Sequence, residues 1–129
     1  MKLAAGANVC FAGPVAPQDV GAALGALDYL VVPSLFAETY CQVVDEAQAV
    51  GVPVVASRIG ALTRIREGMD GRLFEPGNAE QLSNVLLELC RHPEKRQAYA
   101  DALPTIPTIA DQALRLSQLY AAALAAQSP

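Results

Sequence analysis

At 129 residues the chain has room for one domain, and a composition 53% hydrophobic and only 17% charged excludes a disordered segment. Nine Lys and Arg against 13 Asp and Glu give a net charge of -4, with the seven arginines dispersed, which argues against nucleic acid as a partner because phosphate-backbone binding needs a concentrated basic face. No run approaches the roughly 20 apolar residues of a membrane helix, and Cys10, Cys41 and Cys90 have neither CxxC nor zinc-finger spacing, so neither a disulfide framework nor a metal site is expected.

In chain order, four short β-type runs occur: Val9–Gly13, Tyr29–Pro33, Pro53–Ser57 and Arg72–Phe74. The second and third are continuous apolar runs, the pattern of strands buried on both faces. Segments with helical spacing separate them, at about 17–27, 40–50 and 62–67. This alternation predicts an α/β fold with a parallel sheet of about four strands. Beyond the fourth run the pattern is purely helical. Asn78 is placed to cap a helix whose Leu82, Val85, Leu86 and Leu89 recur on one face. His92-Pro93 breaks that helix, and the histidine is expected to satisfy terminal carbonyls there. A second helix is expected to about Leu103, and a last one from about Ile109 to Ala126 with Leu116, Leu119, Tyr120, Ala123 and Leu124 as its apolar stripe. The chain therefore reads as a single partial domain over 1–129, with βα units over 1–77 and a helical C-terminal tail over 78–129.

Candidate chemistry lies between Pro33 and Glu46, from the carboxy end of one buried strand into a helix. Ligands bind at this edge of open parallel sheets, and a helix start offers free N–H groups and a positive dipole end to a phosphate. Glu38 and Glu46 flank that place eight residues apart, and carboxylates suit the hydroxyl pairs of sugar and ribose. Arg58, after the third run, either approaches a phosphate or remains a solvated loop arginine. Tyr40 either packs on a bound sugar or base or fills the core. Cys41 has no histidine nearby in sequence to activate it as a nucleophile.

These residues stand in a longer text: Asp28-Tyr-Leu-Val-Val-Pro-Ser34, the Glu38/Glu46 pair, Glu46-Ala47-x-Ala49-x-Gly51-Val-Pro-Val-Val-Ala-Ser57, Gly60, and Asp70-Gly71-Arg-Leu-Phe-x-Pro76-Gly77. The text, from about Val9 to Glu88 with a weaker echo near Ile109 to Tyr120, strongly resembles the C-terminal donor-binding domain of retaining group 1, or family 4, glycosyltransferases of the GT-B architecture. That resemblance implies a partial Rossmann-like sheet that binds a nucleoside-diphosphate sugar such as a UDP- or GDP-sugar, without a catalytic metal or other cofactor. It implies Glu38 against the donor-sugar hydroxyls, Glu46 on the ribose, and Thr39, Tyr40, Cys41 and Gln42 lining the sugar and diphosphate.

Some positions depart from the family text: Cys41 where glycine is commonest, Asp45 for an aliphatic residue, Gln48 for methionine, Ala61 for a second glycine, and Arg64 where glutamate is frequent. An Asp at an apolar helix position asks for solvent or a partner. The family's N-terminal acceptor domain, its first two βα units and their Arg/Lys pair are not in the 129 residues, so no catalytic residue is assigned and the chain alone is expected to be inactive. A truncated sheet leaves the first run without its neighbour. Either it pairs directly with the Tyr29 strand, or a second copy fills the gap as a homodimer. The partners expected are a nucleotide sugar and the acceptor domain or a second polypeptide, in the cytoplasm. The alternative is a non-catalytic nucleotide-sugar-binding or oligomerising structural remnant.

Overall fold

The computed structural model describes residues 9–126. A 3-10 turn at Pro17–Asp19 leads into α1 (Val20–Gly25), followed by β1 (Leu30–Val32), α2 (Gln42–Ala49) and β2 (Val54–Ser57). A 3-10 segment at Gly60–Arg64 then precedes β3 (Gly71–Phe74), α3 (Ala79–Arg91), α4 (Glu94–Asp101) and α5 (Ile109–Ala125). The strands are parallel in the order β1-β2-β3, with Leu30 opposite Val54 and Val54 opposite Gly71. All three carboxy ends therefore lie along one edge.

Alternation along the strands divides the core in two. Val32, Val54, Ala56 and Leu73 pack with Leu24 of α1 and Val44 and Ala47 of α2 on one face. Val55 and Phe74 pack with Val85 and Leu89 of α3 and Tyr99 of α4 on the other. The central β2 is buried along its whole length, as its continuous apolar text demands, while β1 is fully buried only at Val32 because it is an edge.

Two expectations are corrected. Among the described residues the sheet has three strands where about four were expected: Val9–Gly13 is irregular, with Val9 58% and Phe11 73% exposed. A strand exists only through its hydrogen-bonded ladder, and β1 pairs with β2 alone among the described residues, so direct pairing with the first run does not occur. The stripe on α5 also meets no core, since Leu116, Leu119, Tyr120 and Leu124 are all exposed.

Local signals set the helix starts. The Asn78 side chain accepts from the Gln81 N–H at 2.9 Å, and Thr108 and Asp111 form a reciprocal capping box at the start of α5. At the break after α3, His92 satisfies terminal carbonyls through its backbone N–H, which bonds those of Glu88 and Leu89, while its ring faces the Glu94 carboxylate at 3.0 Å. The buried Asp70 accepts the Arg66 N–H at 2.8 Å and Arg66 Nε at 2.6 Å. The same guanidinium donates to the Ala102 carbonyl, which ties the approach to β3 to the chain after α4.

Across β3 and α3, Arg72 bridges Glu67 and Glu88 at 2.6 Å each, and Lys95 donates to Glu88. Arg72 first, then Lys95, hold the Glu88 carboxyl down at about 2, below its ordinary value of 4.5. A carboxyl depressed in the folded state contributes stability that is present above its unfolded value and lost as pH falls through the folded one. Chemical unfolding between pH 5 and 2 is therefore expected to show stability falling with acid, and Glu88→Gln to flatten part of that fall. An unchanged profile in Glu88→Gln would remove Glu88 from the acid response.

Candidate functional site

The loops leaving the three strand ends assemble one edge. From β1 the chain runs through Pro33–Cys41 into α2, from β2 through Arg58 and Ile59 into the 3-10 segment, and from β3 through the Glu75–Asn78 turn. The Arg58 N–H donates to the Phe74 carbonyl at 2.7 Å, joining the second and third loops, and the Ala61 N–H donates to the Glu38 carbonyl at 3.0 Å, joining the second to the first. Gly60 makes this last approach possible. Its φ is +53°, and a Cβ there would stand 2.7 Å from the Glu38 carbonyl oxygen.

Glu38 is half-buried in the first loop and accepts the Ser34 hydroxyl. The Cys41 thiol and that hydroxyl hold its carboxyl below the ordinary range, so it is an anion and an acceptor at neutral pH. Cys41 precedes α2 in the left-handed conformation, φ 61° and ψ 72°. That is the physical reason a glycine suits this position. Burial pushes the Cys41 thiol up to about 11, so it is a neutral thiol and no nucleophile at pH 7.

Next to Cys41, Arg64 makes a dense set of contacts. Its guanidinium donates to the Tyr40 and Cys41 carbonyls, to the latter at 3.2 Å, forms a 2.7 Å ion pair with Asp45, and lies 5.1 Å from the Tyr40 ring centroid. The Tyr40 hydroxyl donates to the other Asp45 oxygen, an interaction that raises its own pKa. Asp45 thus finds the partner its place in the sequence asked for. Among the described residues, the N–H groups of Cys41 and Gln42 donate to no protein acceptor.

Of the sequence candidates, Tyr40, Gln42 and Glu46 line one cleft of about 370 Å³, closed on its far side by Ile106, Pro107 and Gln112. Glu38, half-buried, and Cys41, buried, do not line that cleft, and Thr39 is exposed between them. Tyr40 is exposed as well, which removes the core alternative for it. Arg58 stands at the edge with its guanidinium 3.5 Å from both Glu67 and Glu75. Sequence reasoning missed Ser34 and the 106–112 segment. Pro104 and Pro107 break the chain there, but nothing local signals a return to α2.

A family model described as glycosyl transferases group 1 matches residues 1–92. The chain belongs to the group 1 glycosyltransferases. Over 96 residues it is 33% identical to a phosphatidyl-myo-inositol mannosyltransferase of Mycobacterium leprae, covering 74% of this chain and 26% of that protein. It is 34% identical over 104 residues to a D-inositol 3-phosphate glycosyltransferase of Rhodococcus opacus, covering 80% and 23%. The chain thus spans about a quarter of the length of these curated relatives. Among solved structures it superposes on Anabaena Alr3699/HepE in complex with UDP-glucose, with a TM-score of 0.69 and 25% identity over 84% of this chain and 30% of that one. It also superposes on the C-terminal domain of a group 1 glycosyltransferase, LpcC, from Francisella tularensis, with a TM-score of 0.62 and 25% identity over 71% and 47%. The fold of this group 1 glycosyltransferase chain is accordingly that of GT-B C-terminal domains. No helix among its described residues is long and apolar enough to cross a membrane.

Proposed function

We propose that this chain is the donor-binding part of a retaining, family 4 glycosyltransferase and holds a nucleoside-diphosphate sugar at the carboxy edge of its sheet. The observation that carries the reading is the cleft at the start of α2 lined by Tyr40, Gln42 and Glu46, with an anionic Glu38 in the loop that leads into that helix. It is supported by the likeness to an Anabaena protein whose structures include complexes with UDP and UDP-glucose. Glu46 takes the ribose hydroxyls, Glu38 the sugar hydroxyls, and Thr39 to Gln42 line the sugar and diphosphate. Arg58 reaches a phosphate only by turning from Glu67 and Glu75, a modest cost for exposed ion pairs.

Transfer breaks the bond between the anomeric carbon and the diphosphate oxygen and forms one to an acceptor oxygen on the same face. Negative charge grows on the leaving diphosphate, where N–H donors and the α2 dipole are most stabilising. An acceptor-binding polypeptide has to complete the cleft, so the isolated chain binds but does not transfer. Leu35 and Phe36, each 71% exposed beside the site, are the apolar surface such a domain would cover. The open edge of β1 would instead be covered by a second copy in a homodimer. The three free cysteines fit a cytoplasmic setting.

Calorimetric titration with UDP, GDP and their sugar conjugates tests the reading. Binding of one nucleotide series is expected, and Glu46→Ala is expected to weaken it about tenfold or more, since hydrogen bonds to a charged group contribute about 1.5–3 kcal/mol. Absence of binding at millimolar ligand overturns donor binding by this chain. Unchanged affinity in Glu46→Ala moves the ribose elsewhere.

A further inference from the structure

We infer that Asp45 and Arg64 are positioning residues that hold the Tyr40-Cys41-Gln42 backbone in the one conformation that turns its N–H groups toward the donor diphosphate. The inference rests on the donor reading above. Asp45 also lines the cleft beside Glu46, and the role argued for it acts through Arg64.

The argument starts from peptide geometry. In a trans peptide the C=O and N–H point in opposite directions, and no cis bond occurs among the described residues. Arg64 takes the carbonyls of Tyr40 and Cys41, which belong to two successive peptides. The N–H groups of those same peptides, on Cys41 and Gln42, therefore face away from Arg64, and like the other N–H groups from Ser34 to Val43 they donate to no protein acceptor. Between the two peptides sits Cys41 at φ 61°, a conformation that costs a residue with a Cβ roughly 1–2 kcal/mol and persists only where surroundings over-determine it.

Arg64 supplies that determination together with the Val44 N–H, which donates to the same Cys41 carbonyl at 3.1 Å, and Asp45 aims Arg64. One Asp45 oxygen receives the guanidinium at 2.7 Å and the other receives the Tyr40 hydroxyl, while the Tyr40 ring lies against the guanidinium. A planar fork that serves two carbonyls and a carboxylate is a task for arginine, which lysine's single ammonium does not reproduce. The two departures from the family text and the non-glycine at the left-handed position thus form one unit. The charged pair holds in place a conformation that glycine would adopt without cost.

Simple charge and positioning predict opposite signs at Asp45. If the cluster acts on a phosphate only through space, Asp45→Ala removes a negative charge and tightens UDP. If Asp45 positions, the same change weakens UDP. Amide NMR titration of the 129-residue chain with UDP and with uridine reads both. Expected are a roughly tenfold weaker UDP affinity in Asp45→Ala and in Arg64→Ala, uridine affinity unchanged, partial recovery in Arg64→Lys, and loss at Cys41 of the carbon chemical shifts that mark a left-handed backbone in the ligand-free variants.

Equal loss for UDP and uridine, or tighter UDP binding in Asp45→Ala, overturns the positioning role while leaving donor binding intact. Wild-type chain that binds neither ligand at millimolar concentration overturns both. Left-handed carbon shifts retained at Cys41 in Arg64→Ala overturn the positioning role without reference to any ligand.

Discussion

Gly71→Ala is expected to lower the stability of the domain by about 3 kcal/mol, near the upper end for overpacked sites, and its melting temperature by roughly 10 °C. Gly71 opens β3 directly opposite Val54 of β2, and a Cβ added there would lie 2.2 Å from the Val54 carbonyl oxygen and 2.8 Å from Cγ2 of the buried Ile65. The first neighbour is backbone of the central strand, so relief requires β2 and β3 to part. That would disturb the ladder from which both core faces hang. The same change at Gly21, in the exposed first helix with nothing within 4 Å, has the opposite sign: alanine is the better helix former by about 1 kcal/mol. Thermal melts followed by circular dichroism separate the two. A Gly71→Ala melt within a degree or two of wild type would mean that the strands are not in the register described.

Gly60→Ala is expected to act on binding more than on the fold. Its Cβ would meet the Glu38 carbonyl oxygen at 2.7 Å and Ala37 Cα at 3.0 Å, and its φ of +53° adds the left-handed cost of roughly 1–2 kcal/mol. The cheapest response is for the Glu38 loop to withdraw, breaking the 3.0 Å bond from Ala61 and displacing the Glu38 carboxylate. Nucleotide-sugar affinity, measured calorimetrically, is expected to fall about tenfold, or 1.4 kcal/mol. Gly77→Ala is the control. It shares a positive φ, +78°, but its nearest outside atom is the flexible Leu35 side chain at 3.6 Å, so it lowers stability while sparing affinity. Equal affinity losses in the two variants would show that general destabilisation, not the Glu38 loop, is responsible.

Much of this molecule is written locally. The apolar runs of β1, β2 and β3, the spacing of Leu82, Val85, Leu86 and Leu89, and the caps Asn78 and Thr108 specify elements through interactions only a few residues long. Such interactions are legible because the hydrogen-bonding partner, or the next residue on the same face, lies at a known offset. The family text around Glu38 and Glu46 is legible for the same reason: it is a contiguous strand, loop and helix.

Other features depended on partners that sequence does not locate. Val9–Gly13 carries the text of a strand and is none, because a ladder needs a neighbour and the order β1-β2-β3 leaves it without one among the described residues. The stripe on α5 has the period of a core helix and faces no described core, since periodicity states which residues share a face and not what covers it. Cys41 looked like a small departure from glycine until its φ of 61° showed what glycine would have been for.

The amino-acid sequence by itself determined the alternation of strands and helices and the family. Those follow from short-range periodicity, capping and contiguous motifs. Only the tertiary structure decided that Asp45 meets Arg64 across 19 residues, that the 106–112 segment lines the cleft beside Glu46, and that the sheet has three strands among the described residues. Each of those is a contact between distant parts of the chain, and such contacts are chosen by what the packed core brings together.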